Sequence, residues 1–163
     1  MKMTDPKFIS IALAVAGFAA SADAQTVFPV ATAQDFQNAL TTAAGNGAGT
    51  NIIELANGYY TGNFNYNSAS GDNSSLIIEP QPGLASTNIT IDGAGLGRDV
   101  NISCGGSSGN VTVSGITFMR NCGNSSIGAL RIGAATGGNI SVGNCQFVMN
   151  TNMEGMGLEI EID

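Results

Sequence analysis

Residues 109–121 read GNVTVSGITFMRN, and twenty-nine residues further on residues 138–150 read GNISVGNCQFVMN. Asn110 answers to Asn139, Val111 and Val113 to Ile140 and Val142, Phe118 to Phe147, and Asn121 to Asn150. Inside each copy, apolar and small polar residues alternate, which places the apolar side chains on one face of an extended strand. Each copy breaks into two such strands, joined only by Ser114-Gly115 or by Gly143-Asn144. A junction that short must bend at a residue with positive φ, and Gly and Asn tolerate this best. The phrase is thus expected to be two strands and a corner.

Working outward, related signatures appear at Asn88-Ile-Thr-Ile91, Asn101-Ile-Ser-Cys104, Asn110-Val-Thr-Val113 and Asn139-Ile-Ser-Val142. Taking Asn88, Asn110 and Asn139 as equivalent gives steps of 22 and 29 residues. Apolar pairs follow in a fixed order: Val100/Ile102, Val111/Val113 and Ile116/Phe118, then Leu130/Ile132, Ile140/Val142 and Cys145/Phe147. Three short strands per repeat, with a period in the twenties, predict an all-β parallel β-helix in which three strands make a coil and coils stack. An antiparallel sandwich gives no reason for three strands to recur in one order. N-x-[ST] triplets at these strand starts read as a turn residue followed by outward Thr or Ser, not as glycosylation sites.

The chain begins differently. Lys2 and Lys7 precede an apolar run from Phe8 to Ala20, too short to span a bilayer, and Ala22-Asp23-Ala24 supplies a small-x-small cleavage pattern. Residues 1–24 are therefore expected to be a signal peptide, cut before Gln25, and the protein to be exported. Residues 25–50 are expected to form an amino-terminal cap. Thr32 begins its helix, with Asp35 at the positive end and Phe36, Ala39, Leu40 and Ala43 at helical spacing, until Gly45-Asn46-Gly47 stops it. Residues 51–163 would be the β-helix coils. Leu158-Glu-Ile-Glu-Ile-Asp163 is an alternating strand with no capping element after it, which suggests a chain cut in mid-repeat or one that self-associates at that end.

Phe118-Met-Arg-Asn121 and Phe147-Val-Met-Asn150 match an F-x-x-N motif, and Gly128-Ala129-Leu130 and Met156-Gly157-Leu158 are similar to a G-G-A-[ILV] motif. The chain in this respect resembles the polymorphic outer-membrane protein repeats and, more widely, the pectin-lyase-like β-helices. Gly58-Tyr-Tyr-Thr-Gly62 and Thr90-Ile-Asp-Gly93, after the helix, look like the opening of bacterial secreted β-helix proteins. The resemblance implies a right-handed, single-stranded β-helix, often carrying a carboxy-terminal surface anchor or barrel. It also implies that lyase, glycoside hydrolase or esterase chemistry must be sought. Independently of any family, F-x-x-N puts Phe inside the coil, stacked on its counterpart, and Asn at the next turn, bonded to backbone or to another Asn.

The chemistry-bearing residues are few. Beyond the signal, Arg98, Arg120 and Arg131 face ten carboxylates and no Lys or His, which removes electrostatic support for nucleic acid or an anionic membrane and excludes any Ser-His-Asp set. Asp92 and Asp99, with Arg98 beside them, are the only close acid pair in a Gly-rich loop, and glycoside hydrolysis needs paired carboxylates roughly 5–10 Å apart. Asp92-Gly93 also reads as a turn, and Asp99 as the residue before a strand; Arg131 stands alone on its strand. Gly93-Ala-Gly95-Leu-Gly97 has a glycine rhythm but no helix or acidic partner for a dinucleotide. Cys104, Cys122 and Cys145 match no zinc spacing; one disulfide is possible, Cys104 with Cys122 for preference, and Cys145 reads as a small buried hydrophobe in the place of Ile116. Tyr59, Tyr60, Phe64 and Tyr66 form the one aromatic cluster, expected to close the first coil.

No catalytic residue, metal site or cofactor is expected in these residues, and no ligand-binding residue is assigned. The expected function is an exported surface or secreted scaffold, adhesin-like, meeting carbohydrate or cell-surface ligands along a flat side. The alternative is the amino-terminal part of a polysaccharide lyase or glycoside hydrolase of the pectin-lyase-like fold.

Overall fold

A computed structural model describes residues 24–47, 49–85, 88–95, 97–122, 128–134, 137–151 and 157–162. Of the signal peptide read at residues 1–24, all but Ala24 falls outside the described residues, as do the roles given to Leu96, Met156 and Asp163. The chain runs β1 (Gln25–Val30), α1 (Ala33–Ala44), β2 (Thr50–Leu55), β3 (Gly58–Thr61), β4 (Phe64–Asn67), β5 (Ser75–Pro80), β6 (Ile89–Asp92) and β7 (Val100–Cys104). It continues with β8 (Val111–Ser114), β9 (Thr117–Met119), β10 (Leu130–Ala134), β11 (Ile140–Gly143), β12 (Gln146–Val148) and β13 (Leu158–Ile162).

Among the described residues every strand pairing is parallel, and the strands sort into three sheets: β1-β2-β5-β8-β11, then β3-β6-β9-β12, then β4-β7-β10-β13. The chain visits the sheets in that order four times, which makes a parallel β-solenoid of about four coils. No coil of three short strands buries its own inward side chains, so equivalent positions stack between coils. In the first sheet Phe28, Ile53, Ile78, Val113 and Val142 lie in register; in the second, Tyr60, Ile91, Phe118 and Phe147. The third sheet stacks Phe64, Val100, Leu130 and Leu158, and beside them Tyr66, Ile102, Ile132 and Ile160.

The cap works through both of its elements. β1 extends the first sheet over β2, while α1 lays Phe36, Ala39, Leu40 and Ala43 on the open top of coil one. Thr32 caps the helix by accepting a hydrogen bond from the Asp35 N–H at 3.1 Å, satisfying one of its orphan donors. Phe36 meets Tyr60 edge-on at 6.0 Å and Phe64 at 4.7 Å between ring centres. The edge strand β4 would expose unpaired backbone, but Gln37 imitates a neighbouring strand. Its Nε2 donates to the Asn65 carbonyl and its Oε1 accepts the Asn65 N–H, both at 2.9 Å.

The duplicated phrase is built as its residues require. Gly115 and Asn144 bend with φ of 67° and 53°, between the first and second sheets. Phe118 and Phe147 stack with centres 5.3 Å apart and planes 13° from parallel. At the following corner Arg120 and Met149 take φ of 57° and 53°, and Asn150 ties the coils together. Its Oδ1 accepts the Asn121 N–H at 2.9 Å and its Nδ2 donates to the Phe118 carbonyl at 3.1 Å. Asn110 similarly receives the Asn139 N–H at 2.9 Å.

One equivalence read from the sequence is corrected. Asn88 lies before β6 in the second sheet, and Asn101 lies in the third, whereas Asn110 and Asn139 open strands of the first. The position in line with Asn110 is Ser75, and before it Thr50, so successive steps are 25, 35 and 29 residues. The alternating signature marks any strand with one buried face, so it cannot by itself tell the three sheets apart.

The corner between the third and first sheets carries a feature not anticipated from the sequence. A Cβ on Gly106 would lie 1.7 Å from the Asp72 carbonyl oxygen, on Gly109 2.4 Å from that of Ser74, on Gly137 2.3 Å from that of Ser107, and on Gly138 2.0 Å from that of Gly109. Each coil rests its backbone directly on the carbonyls of its predecessor here, and only glycine permits that approach.

Candidate functional site

The acids nominated by sequence sit where coil two passes from the second sheet to the third. Asp92 ends β6 and Asp99 precedes β7, with the glycine loop between them; their relative exposures are 1% and 0%. Asp92 is fully partnered. It accepts the Ala94 N–H at 2.9 Å and the Arg120 Nε at 2.9 Å, and ion-pairs with the Arg120 Nη2. Those contacts hold its carboxyl below the ordinary range, the Arg120 hydrogen bond contributing most, against the opposing effect of burial.

Asp99 is the opposite case. Its backbone is anchored on both sides, the carbonyl accepting the Phe64 N–H at 2.8 Å and its own N–H donating to Ala129 at 3.0 Å. Neither carboxyl oxygen has a hydrogen-bond partner among the described residues. Burial first, and then the charge of Asp92, push this carboxyl up to about 8; the backbone of Met119 and Gly93 offsets part of the shift without completing a bond of normal geometry. A depressed acid beside a raised one is the division of labour that acid–base catalysis uses. Both side chains are nevertheless buried. Arg98 turns away from the pair.

Arg98 instead joins a cluster on the outer face of the third sheet. Its Nη1 donates to the Asn101 Oδ1 at 2.7 Å and its Nη2 to the Glu159 Oε2 at 3.2 Å. Arg131 donates to the same Asn101 oxygen at 3.2 Å and ion-pairs with Glu161. Arg131 is the only charge on β10, as its strand suggested, but not the only charge on its face. The missed signal was register: Asn101, Arg131 and Glu159 are direct partners on successive strands. Alternation shows that these residues point outward but not which of them meet. The cluster holds two cations and two anions, so it presents no net charge to an ionic ligand.

Of the aromatic cluster, Tyr60, Phe64 and Tyr66 are buried and close the first coil, while Tyr59 stands 72% exposed on the second sheet. Behind Tyr59, in register, lie Thr90, Thr117 and Gln146. A shallow groove of about 510 Å³ follows the neighbouring corner, bounded by Pro80 and Leu84 on one side and by Gly115 and Asn144 on the other.

The three cysteines are free, which corrects the preferred pairing of Cys104 with Cys122. Cys104 ends a strand of the third sheet, where its coil turns toward the first, whereas Cys122 lies past β9, where the second sheet turns toward the third. Different corners of the solenoid keep them apart. Cys145 packs half-buried against the core in line with Ile116. Among the described residues no group of three or more Cys, Asp or Glu side chains is placed to hold a metal ion. Comparison with known proteins finds no matching family profile, no matching curated protein and no matching solved structure.

Proposed function

We propose that this β-solenoid is an exported scaffold, secreted or held at the cell surface, that meets carbohydrate or cell-surface ligands through its flat sides without catalysing a reaction. The observation that carries this reading is the register of the outward side chains. Tyr59, Thr117 and Gln146 stand outward in line on the second sheet, with the buried Thr90 between the first two, and Thr112 and Ser141 do so on the first. Strand spacing repeats each row every ~4.8 Å, so a polymer or a crowded surface is offered many weak contacts in line. The family likeness belongs to the same proposal: F-x-x-N and the Gly-Ala-Leu start of β10 link the chain to outer-membrane and pectin-lyase-like β-helices.

The test is a glycan and cell-surface binding screen run beside an assay for unsaturated products from uronic-acid polymers. The scaffold reading expects retention on polymeric ligands, weak retention on their monomers, and no product. Turnover that disappears in Asp92→Asn or Asp99→Asn would replace it with the polysaccharide lyase or hydrolase reading.

A further inference from the structure

We propose that Tyr59 and Arg120 bind the ring of a neutral sugar on the outer face of the second sheet, where it turns toward the third. The proposal rests on the scaffold reading and names its ligand class and its face. It begins with four equivalent positions. Gly62, Gly93, Arg120 and Met149 each follow the last residue of a second-sheet strand. The N–H groups of the first three donate to the next coil, at the carbonyls of Asp92, Met119 and Val148. Coils one and two place glycine here, whereas coils three and four hold Arg120 and Met149 left-handed, at φ of 57° and 53°. That conformation suits glycine and opposes a side chain, so two large side chains are held at this corner against the preference of the backbone.

Arg120 reaches back over coil two, where its Nε donates to the Asp92 Oδ1 at 2.9 Å and its Nη2 ion-pairs with the same carboxylate. The Asp92 side chain is 2% exposed and that of Arg120 52%, so a buried anion pins a guanidinium at the surface. Two of its five N–H groups go to Asp92, and the other three belong to its free edge. Tyr59 stands one coil before Asp92: its partner is Thr90, and Asp92 is the next residue on that face of β6. Residues so placed are within reach of long side chains. The Arg120 charge is held above its usual range by Asp92 first, with Tyr59 contributing. An exposed tyrosine beside a fixed planar fork is the pairing that binding hot spots favour. A sugar ring lays its C–H face on the phenol, and its neighbouring hydroxyls accept from the guanidinium edge. The sugar is neutral because the site has no charge to spare. Asp92 cancels Arg120, and Arg98 and Arg131 are engaged with Glu159 and Glu161 on the third sheet. Thr61, Thr117, Met119, Gln146 and Val148, the other accessible side chains of this face, carry no charge. Gln146 lies three strands from Tyr59, so the row is ~14 Å long and takes an oligosaccharide, with Met149 an apolar contact at its far end.

Affinity electrophoresis of the full chain in galactan, xylan and β-glucan, with polygalacturonate as the acidic probe, tests the site. Retention on a neutral glycan, unchanged by added salt, is expected. Tyr59→Ala should weaken it about tenfold and Tyr59→Phe by less than about twofold, with thermal unfolding unchanged in both. Arg120→Lys, which keeps a cation opposite Asp92 but loses the fork, should weaken it several-fold. Wild-type affinity in Tyr59→Ala would overturn the proposal. So would an equal loss in Thr112→Ala on the first sheet, or preference for polygalacturonate that salt abolishes. Because Tyr59 is exposed, its variants report on the site even if Arg120→Lys misfolds. The scaffold reading fails separately. Glycan retention indifferent to Tyr59, or binding to cells without binding to any neutral glycan, removes this site alone, whereas binding to neither removes both.

Discussion

Phe118→Ala should be the most damaging single truncation in the duplicated phrase. Phe118 is fully buried, lies in register between Ile91 and Phe147, and stacks on the latter at 5.3 Å. Removing a buried Phe ring costs about 3–5 kcal/mol, and the upper half of that range applies where the walls cannot collapse. Here the strands on either side are held at ~4.8 Å by their ladders, so the void persists. Phe147, only half-buried on the fourth coil, should cost less, about 2 kcal/mol. In the double variant the two losses should fall short of additivity by about 1 kcal/mol, the worth of the ring pair. Urea unfolding followed by circular dichroism measures all three. Because coils contact only their neighbours, Phe118→Ala should also split the transition, with coils three and four melting before one and two. A cost below about 1.5 kcal/mol for Phe118→Ala, or an equal cost for Phe147→Ala, would refute stacking as the source of stability.

Other outcomes follow from single contacts. Gly106→Ala, whose new methyl would fall 1.7 Å from the Asp72 carbonyl oxygen, should cost about 1–3 kcal/mol in thermal unfolding, while Gly143→Ala, with nothing within 4 Å, should stay within about 0.5 kcal/mol. Gln37→Ala should leave the Asn65 backbone groups unpaired, lower stability by about 1 kcal/mol and promote edge-to-edge association visible by light scattering. Arg120→Ala should move acid unfolding to higher pH. The stability from the lowered Asp92 carboxyl exists above its unfolded value and is lost as pH falls through its folded one, and the variant raises the latter. Thiol titration in denaturant without reductant should count all three cysteines; a count of one would restore a Cys104–Cys122 bridge.

Much of the architecture was legible because solenoids repeat locally what they do globally. The Phe118/Phe147 pair, the Gly115/Asn144 bend and the buried face of α1 each follow from a periodicity inside a dozen residues. What alternation cannot encode is the identity of the sheet, so Asn88 was matched to Asn110 although they open different sheets. Loop insertions caused this: two residues join β3 to β4, while seven join β6 to β7. The Gln37 clamp, the shared Asn101 oxygen and the burial of Asp99 depend on contacts between coils, fixed only once register is known. Asp92 and Asp99 are the acid pair that the sequence offers, but what they can do hinges on exposure, which adjacent letters do not reveal.

The row of glycines between the third and first sheets sets a rule for how such a protein can change. Along that edge each coil lies on the carbonyls of the one before, so a side chain there would force the stack apart. At the opposite corner, between the second and third sheets, the connections after coil one are long, and their length varies without disturbing the ladders. Sequence novelty can therefore accumulate away from that glycine edge while the edge itself stays closed to it. The molecule has a spine that resists variation, and its longer connections lie at the other two corners.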